Sequence, residues 1–490
     1  MTQKIIVIGS GFSSLAAATS LADKGMQVKI LEKNFQCGGR ARSFSADGFK
    51  FDMGPSWYWM PDVFEKYFEK FGKNISDYYQ LKRLDPSYQV FFGKNIALNI
   101  PAAYKELQAL FEKLEKGSSK SLDQFLKEAK YKYEVGMNDL VHKPSQSILE
   151  FAQWEVISGV FRMQLFNSLS NHVRKYFKNE KLIKLLEFPV LFLGAKPQET
   201  PALYSLMNYA DISLGTWYPK GGMHKIVEAM VDLAKEKGVE FELNCEVSKL
   251  ESENGKVAKA ITNKGEFKAD YFITGADYHH SEQDLLETKD RRYTEKYWDN
   301  RKMAPSSLLF YLGVNKRLKN LEHHNLFFDE SFDQHAIEIY DQPQWPSKPL
   351  FYVSAPSKTD TSVAPEGCEN LFLLMPVAPN LKDTEEDRER FYHLMMDRLE
   401  ALTNQEIRSH VIYKRSYAHK DFIKDYHAYK GNAYGLANTL RQTAILKPSI
   451  RSKKLKNLYY TGQLTTPGPG VPPSLISGQV VAKELLKSIL

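Results

Sequence analysis

The sequence predicts an α/β fold in which a discontinuous Rossmann-like domain is interrupted by a helical insertion and by an insertion carrying a mixed sheet. Three stretches predict it. Strand, glycine turn, helix, strand and acid follow one another from Lys4 to Glu32. A helix and several strands lie between Tyr218 and Thr274, and a strand with a Pro/Gly-rich turn leads into a last helix after Asn457.

The first stretch is the most complete. Lys4 to Ile8 is an apolar run short enough for a buried parallel strand, Gly9-Ser10-Gly11 makes a tight turn, and Ser13 to Lys24 has the spacing of a helix with Leu15, Ala18 and Leu21 inward. Gly25 ends that helix and Gln27 to Leu31 forms the second strand. Glu32 at its end stands about twenty residues past the glycines, where a carboxylate accepts hydrogen bonds from both hydroxyls of an adenosine ribose. The pattern is that of a dinucleotide site. Its third glycine position is Ser14, small enough for close helix–strand packing.

At the other end, Leu458 to Thr461 reads as a strand, Gly462 and a loop holding Pro467 to Pro473 follow, and Ser474 is expected to cap a helix toward Ile489. A helix N-terminus offers N–H groups and positive dipole character to an anion or an electron-rich ring. In the middle piece Gly221-Gly222 precedes a helix from His224 to Lys237. Glu240 to Val247 reads as one strand, Lys249 to Ser252 and Lys256 to Thr262 as a hairpin, and Tyr271 to Thr274 as a buried strand. These pieces give a cofactor domain of residues 1–90, 215–290 and 430–490. A helical insertion is expected at 91–214, from spacings such as Leu107, Leu110, Phe111 and Leu114. A substrate domain is expected at 291–429, from strand-like runs at Ser307–Leu312, Phe351–Val353 and Asn370–Met375.

Composition narrows the class. A 490-residue chain with 43% hydrophobic residues supports two or three folded domains, and its net charge of +7 comes with no nucleic-acid-binding motif, so no nucleic-acid partner is expected. The three cysteines, Cys37, Cys245 and Cys368, show no metal-ligand spacing, so no metal is expected, and they fit a reducing compartment. Cys37 reads as a packed turn residue. The Met-Thr-Gln-Lys start passes directly into a strand, so no leader is expected. No apolar run reaches eighteen residues.

Glycine spacing by itself leaves NAD and FAD open. The next segment, Glu32-Lys33-Asn34 through Gly38-Gly39-Arg40 and Arg42, then Phe51-Asp52-Met53-Gly54-Pro55-Ser56, resembles the flavin-dependent amine oxidase and carotenoid desaturase superfamily. In that superfamily the diglycine lets the backbone approach the FAD pyrophosphate. Gly462 with Pro467 to Pro472 is similar to the bacterial-type phytoene desaturase signature, apart from Gln463 and Leu464, where small residues are usual. Further landmarks are Trp57 to Pro61, Tyr218 to Met223, Ala276 to His280 and His323 to Asn325, so the resemblance spans essentially the whole chain.

The resemblance implies a Rossmann-like FAD-binding domain with Gly9, Ser10, Gly11, Phe12, Ser13, Glu32, Lys33, Gly39, Arg40, Gly54, Pro55, Ser56, Val247, Gly462, Gln463, Gly470, Val471 and Pro472 at the cofactor. It implies desaturation of a carotenoid, phytoene toward lycopene first among substrates, with oxygen or a quinone as electron acceptor. It also implies a cytoplasmic protein held peripherally at the inner face of the cell membrane. A hydroxycarotenoid 3,4-desaturase, a carotenoid isomerase, an amine or protoporphyrinogen oxidase, and a non-catalytic isoprenoid-binding protein of the GDP-dissociation-inhibitor type remain open as alternatives. Glu150 is the candidate acid or base for the second hydrogen, expected at the start of a helix facing the chamber. Trp57-Tyr58-Trp59 is a candidate chamber lining, and His323-His324 and Asp277 with His279-His280 read as structural. Arg174, Lys175, Lys178, Lys181 and Lys184, interleaved with apolar residues on one helical stretch, form a candidate surface for lipid headgroups.

Overall fold

The computed structural model describes residues 2–147, 150, 167–439 and 441–489, without the side chains of residues 191–193. Five parallel strands form the cofactor-side sheet, in the order Leu458–Tyr460, Tyr271–Thr274, Lys4–Ile8, Gln27–Leu31 and Glu240–Glu242. Each strand is short, and the central one buries Ile5 to Ile8, as expected for a sheet covered on both faces. The crevice at the carboxyl ends of such strands is where ligands bind in open α/β sheets.

Two helices from opposite ends of the chain meet on this sheet. Phe12–Ala22 is buried at every residue except Ser20, and it lies against Val471–Ile489. The contact depends on Gly478, where an added Cβ would sit 2.0 Å from the Ser13 carbonyl oxygen and 2.9 Å from Ala16 Cβ. Ser14, standing where a third glycine is usual, is accommodated from the other side. Gly275 follows the strand Tyr271–Thr274, and a Cβ there would lie 2.0 Å from Ser14 Oγ.

The second large sheet has seven strands, ordered Val411–Tyr417, Ser306–Val314, Glu369–Val377, Phe351–Ser354, His324–Phe327, Tyr88–Gly93 and Ile96–Ile100. All neighbours are antiparallel except His324–Phe327 with Tyr88–Gly93. Residues 91–100, expected in the helical insertion, therefore pair as sheet strands beside His324–Phe327, because Val90 and Phe91 need an apolar partner strand. Helices start after them at Tyr104–Leu114 and Ser118–Asn138.

Three further local expectations differ from the structure. The strand expected over Glu240–Val247 stops at Glu242. Asn244 adopts φ +50°, and the Asn244 and Cys245 N–H groups turn to the Asn34 and Glu32 carbonyls, so Val247 begins a separate antiparallel sheet with Lys256–Thr262 and Gly265–Lys268. The stretch Arg174–Lys184 is two helices, Leu169–Tyr176 and Glu180–Glu187, parted at Phe177 by extended backbone, with Asn179 capping the second. The last helix begins at Val471, so Ser474 lies inside its first turn. Pro472 and Pro473 fit there because first-turn N–H groups lack helical partners anyway.

Candidate functional site

One cavity of about 450 Å³ runs from the glycine turn of the first sheet to the inner face of the seven-stranded sheet. Every residue that the sequence points to as cofactor-binding lines it: Gly9 to Ser13, Glu32, Lys33, Gly39, Arg40, Gly54 to Ser56, Val247, Gly462, Gln463 and Gly470 to Pro472.

Its polar end is built from turns packed on turns. Gly38 has φ +115° and Gly39 φ +56°, a tight left-handed pair, and the Gly38 N–H donates to the Ser10 carbonyl at 3.0 Å. A Cβ on Gly39 would stand 3.4 Å from Gly11 Cα, so the diglycine and the first glycine turn touch backbone to backbone. Glu32 is anchored beside them. One carboxylate oxygen accepts from the Ser10 N–H and hydroxyl at 2.9 and 2.6 Å, and the other from the Asn34 N–H and amide at 2.9 and 2.8 Å. Two of these donors are side chains able to rotate away, so the anchored acid can still receive hydroxyl donors from a ribose.

Arg40 supplies the charge. It donates to the Asn432 carbonyl at 3.3 Å, lies over the Tyr426 ring at 5.1 Å, and its Nε has no hydrogen-bond partner among the described residues. Burial lowers its pKa, opposed chiefly by the Asp277 carboxylate. A buried guanidinium with an orphaned N–H on a cavity wall suits an anion, and with the bare diglycine backbone it fits a pyrophosphate. Arg42 is instead paired with Asp425 at 2.6 Å. Near Glu32 and Val247 stand His280, which the sequence reads as structural, and His427, which it did not single out. Their rings stack at 3.9 Å on the cavity wall beside Val247. His427 Nε2 lies 2.8 Å from Lys33 Nζ and 2.9 Å from Glu246 Oε1. Only the fold brings these four segments together.

Gln463 has a positioning role. Its amide donates to Asn432 Oδ1 at 3.3 Å, and that same oxygen accepts the Gly435 N–H at 2.7 Å, which holds the loop presenting Tyr434 to the cavity. Leu464 is buried in the core beneath.

The opposite end is apolar. Trp57, Trp59, Phe188, Leu309, Leu326, Phe328, Phe332, Leu350, Tyr352, Phe372 and Leu374 line it. The aromatic triplet divides by strand-like alternation: Trp57 and Trp59 face the cavity, whereas Tyr58 turns away to share a 2.9 Å hydrogen bond with Tyr79. Trp57 stacks on His324 at 4.1 Å with 10° between planes, and His324 Nδ1 lies 2.6 Å from the Tyr352 hydroxyl. Burial keeps His324 far below the usual histidine pKa, hence neutral. His323 is held by Thr359 at 2.8 Å, and no metal-holding group of His, Cys, Asp and Glu occurs among the described residues.

Three other residues lie elsewhere or act structurally. Glu150 is not among the cavity-lining residues. Its carboxylate accepts the N–H groups of Ser145, Gln146 and Ser147 at 2.7 to 3.0 Å, which uses its oxygens to close a turn. The helix expected to follow it falls outside the described residues. Cys37 is packed in its turn, and burial pushes its thiol up to about 11, so it holds its proton at neutral pH. Asp277 caps the short helix Tyr278–Gln283 through the His279 N–H and also faces the cavity.

The family model described as "Flavin containing amine oxidoreductase" matches residues 12–486. The chain is 40% identical to the carotenoid 3,4-desaturase of Haloarcula japonica over 488 residues, covering 99% of each protein. It is 30% identical to the zeta-carotene-forming phytoene desaturase of Myxococcus xanthus, covering 99% of this chain and 94% of that one. Among solved structures, an oxidoreductase from Methanosarcina mazei shares the fold with a TM-score of 0.66 at 17% identity, covering 98% of this chain and 100% of that one.

Proposed function

Since the chain belongs to the flavin containing amine oxidoreductase family and is an FAD-dependent oxidoreductase, we propose that it desaturates a long linear carotenoid. One observation carries the reading. The turns that fit a dinucleotide and the apolar chamber are two ends of a single cavity, so a hydrocarbon lodged in the chamber abuts the cofactor site with no intervening wall. Oxidised FAD, when bound, accepts a hydride and carries the difficult chemistry. Gly9 to Ser13, Glu32, Lys33, Gly39, Arg40, Gly54 to Ser56, Val247, Gly462, Gln463 and Gly470 to Pro472 would hold it. The chamber does the rest: a polyene offers no hydrogen-bond handle, so its position must come from shape and from the exclusion of water. The complete set of cofactor-side residues argues against the non-catalytic isoprenoid-binding alternative.

For the substrate, the 40% identity to a carotenoid 3,4-desaturase against 30% to a phytoene desaturase favours 3,4-desaturation. Phytoene conversion toward lycopene is the second reading. The test is expression in bacteria that accumulate phytoene, lycopene or a hydroxylated lycopene, with pigments identified by chromatography. A red-shifted product in either lycopene strain with phytoene unchanged supports the first reading. Phytoene consumption alone supports the second. No new pigment despite FAD-loaded protein would sink both.

We extend the reading to peripheral attachment at the inner membrane face, with oxygen or a quinone taking the electrons. No helix among the described residues is long and apolar enough to cross a membrane. Support comes from the two lysines of the helix Glu180–Glu187, Lys181 and Lys184. Lys184 lies over Phe332 and Lys181 over Phe92, which packs on Phe328, so this helix flanks the apolar end of the cavity. Arg174 is committed to Glu187 and does not count toward the patch. Neutralising Lys178, Lys181 and Lys184 together should release the protein from sedimenting anionic liposomes; unchanged sedimentation removes the patch.

A further inference from the structure

The loop Thr466–Gly470 closes one side of the cavity through Pro469 and Gly470, and the helix Val471–Ile489 starts directly behind it. That helix turns its positive dipole end toward the cavity. Its stock of donors is small, however. Pro472 and Pro473 carry no N–H, and the Ser474 N–H is taken by the Gly470 carbonyl at 3.0 Å.

Positive charge gathers on the other face of the same loop. Lys447 Nζ, Asn438 Oδ1 and Thr466 Oγ1 are buried there without hydrogen-bond partners among the described residues, their residues 5%, 3% and 5% exposed. Lys447 and Asn438 converge on Gly468. A Cβ at Gly468 would stand 3.1 Å from Lys447 Nζ and 3.2 Å from each end of the Asn438 amide, so the absent side chain is what admits the lysine to the backbone. Burial alone lowers the Lys447 pKa, to about 7, and no carboxylate among the described residues offsets it. Keeping an unpaired ammonium inside a protein is costly. Below that pKa the amine is a cation with no counter-ion among the described residues, and in a poorly polarisable interior it acts over a longer distance than one in water.

We infer that Lys447 is an electrostatic tuning residue: acting through the Thr466–Gly470 loop, with the helix dipole beside it, it stabilises negative charge on the electron-accepting ring of bound FAD and raises its affinity for a hydride. The inference rests on FAD occupying this cavity. Lys447 does not line the cavity, so it positions charge rather than touching reactants.

The test uses purified holoenzyme and sulfite, an anionic nucleophile that adds to electron-poor flavins and bleaches their absorbance, with no carotenoid present. K447M should retain FAD at the wild-type ratio per chain yet bind sulfite about tenfold more weakly or worse, while K447R stays within about threefold of wild type. N438D, which sets a carboxylate beside the ammonium without removing it, should weaken sulfite binding in the same direction. FAD-loaded K447M with wild-type sulfite affinity would overturn the inference. If K447M fails to fold, wild-type sulfite affinity in N438D overturns it alone, and failure of both to fold assigns the cluster to structure and overturns it as well. Wild-type protein that takes up no FAD would instead defeat the cofactor reading, a separate result.

Discussion

At one end of the cavity the wall is backbone and short side chains, from Gly9–Ser13, Gly38–Ala41 and Gly470–Ser474; at the other it is rings and branched aliphatics from Trp57, Phe188, Leu326, Phe328, Tyr352 and Leu374. The two ends answer different physical demands. A pyrophosphate must be approached closely by N–H groups and met by charge, which leaves almost no freedom in residue type where backbone touches backbone. A polyene needs only apolar volume, which many combinations of large side chains supply. Tolerance to substitution should therefore be sharply lower at the first end than at the second.

The largest effect is expected from Gly478→Val. A branched side chain where even a Cβ would meet the Ser13 carbonyl at 2.0 Å must push the last helix off Phe12–Ala22, and with it the Val471 end from the cavity. FAD retained per purified chain should fall to near zero; normal FAD content would show that the helix pair is not what shapes the polar end.

A smaller and different loss should follow Leu326→Gln. The unpaired amide costs about 1–3 kcal/mol when a hydrocarbon covers it, so KM should rise roughly fivefold to 150-fold with FAD content unchanged. A loss of FAD instead would mean that the two ends are not separable.

The mildest test concerns the layer behind the chamber. Trp59 Nε1 donates to Thr216 Oγ1 at 2.8 Å, and Thr216 and Tyr88 both donate to the buried Asp211, at 3.2 and 2.8 Å. Burial raises Asp211 to about 7, against about 3.9 for an unfolded aspartate. Between those values the folded state holds more protons than the unfolded one. Stability contributed by this group therefore falls as pH rises from about 4 to about 7, and its cost is fully present above that. Asp211→Asn abolishes the titration, so the melting temperature of wild type relative to the variant should drop between pH 5 and pH 8. A constant difference would mean that Asp211 is ionised throughout.

The contrast between the two ends also explains what could be read in advance. Lys4 to Glu32 was legible because each step of the motif is local: a strand must be followed by Gly9 and Gly11 for the turn to form, and by Glu32 at the next strand's end. The divided strand at Glu240–Val247 was not, because its break depends on Asn244 and Cys245 finding carbonyls in the Glu32–Asn34 segment, over 200 residues away. The role of Glu150 was not legible for a related reason. A carboxylate at a helix start suits catalysis or turn closure equally well until its three N–H partners are known.

By itself the sequence determined the glycine turn, the ribose acid and the last Pro/Gly turn, since these are dictated by backbone geometry within a few positions of one another; resemblance to the family added the diglycine, Gly54 to Ser56 and Val247, and all of them line the cavity. Tertiary structure alone decided the rest. It joined the seven-stranded sheet to the strands at 88–100, turned Trp57 and Trp59 inward and Tyr58 outward, stacked His280 on His427, and set Lys447 beneath Gly468. Those arrangements arise from apolar burial and unpaired charge among segments distant in the chain, where periodicity reports which side chains are hidden but not against which partner.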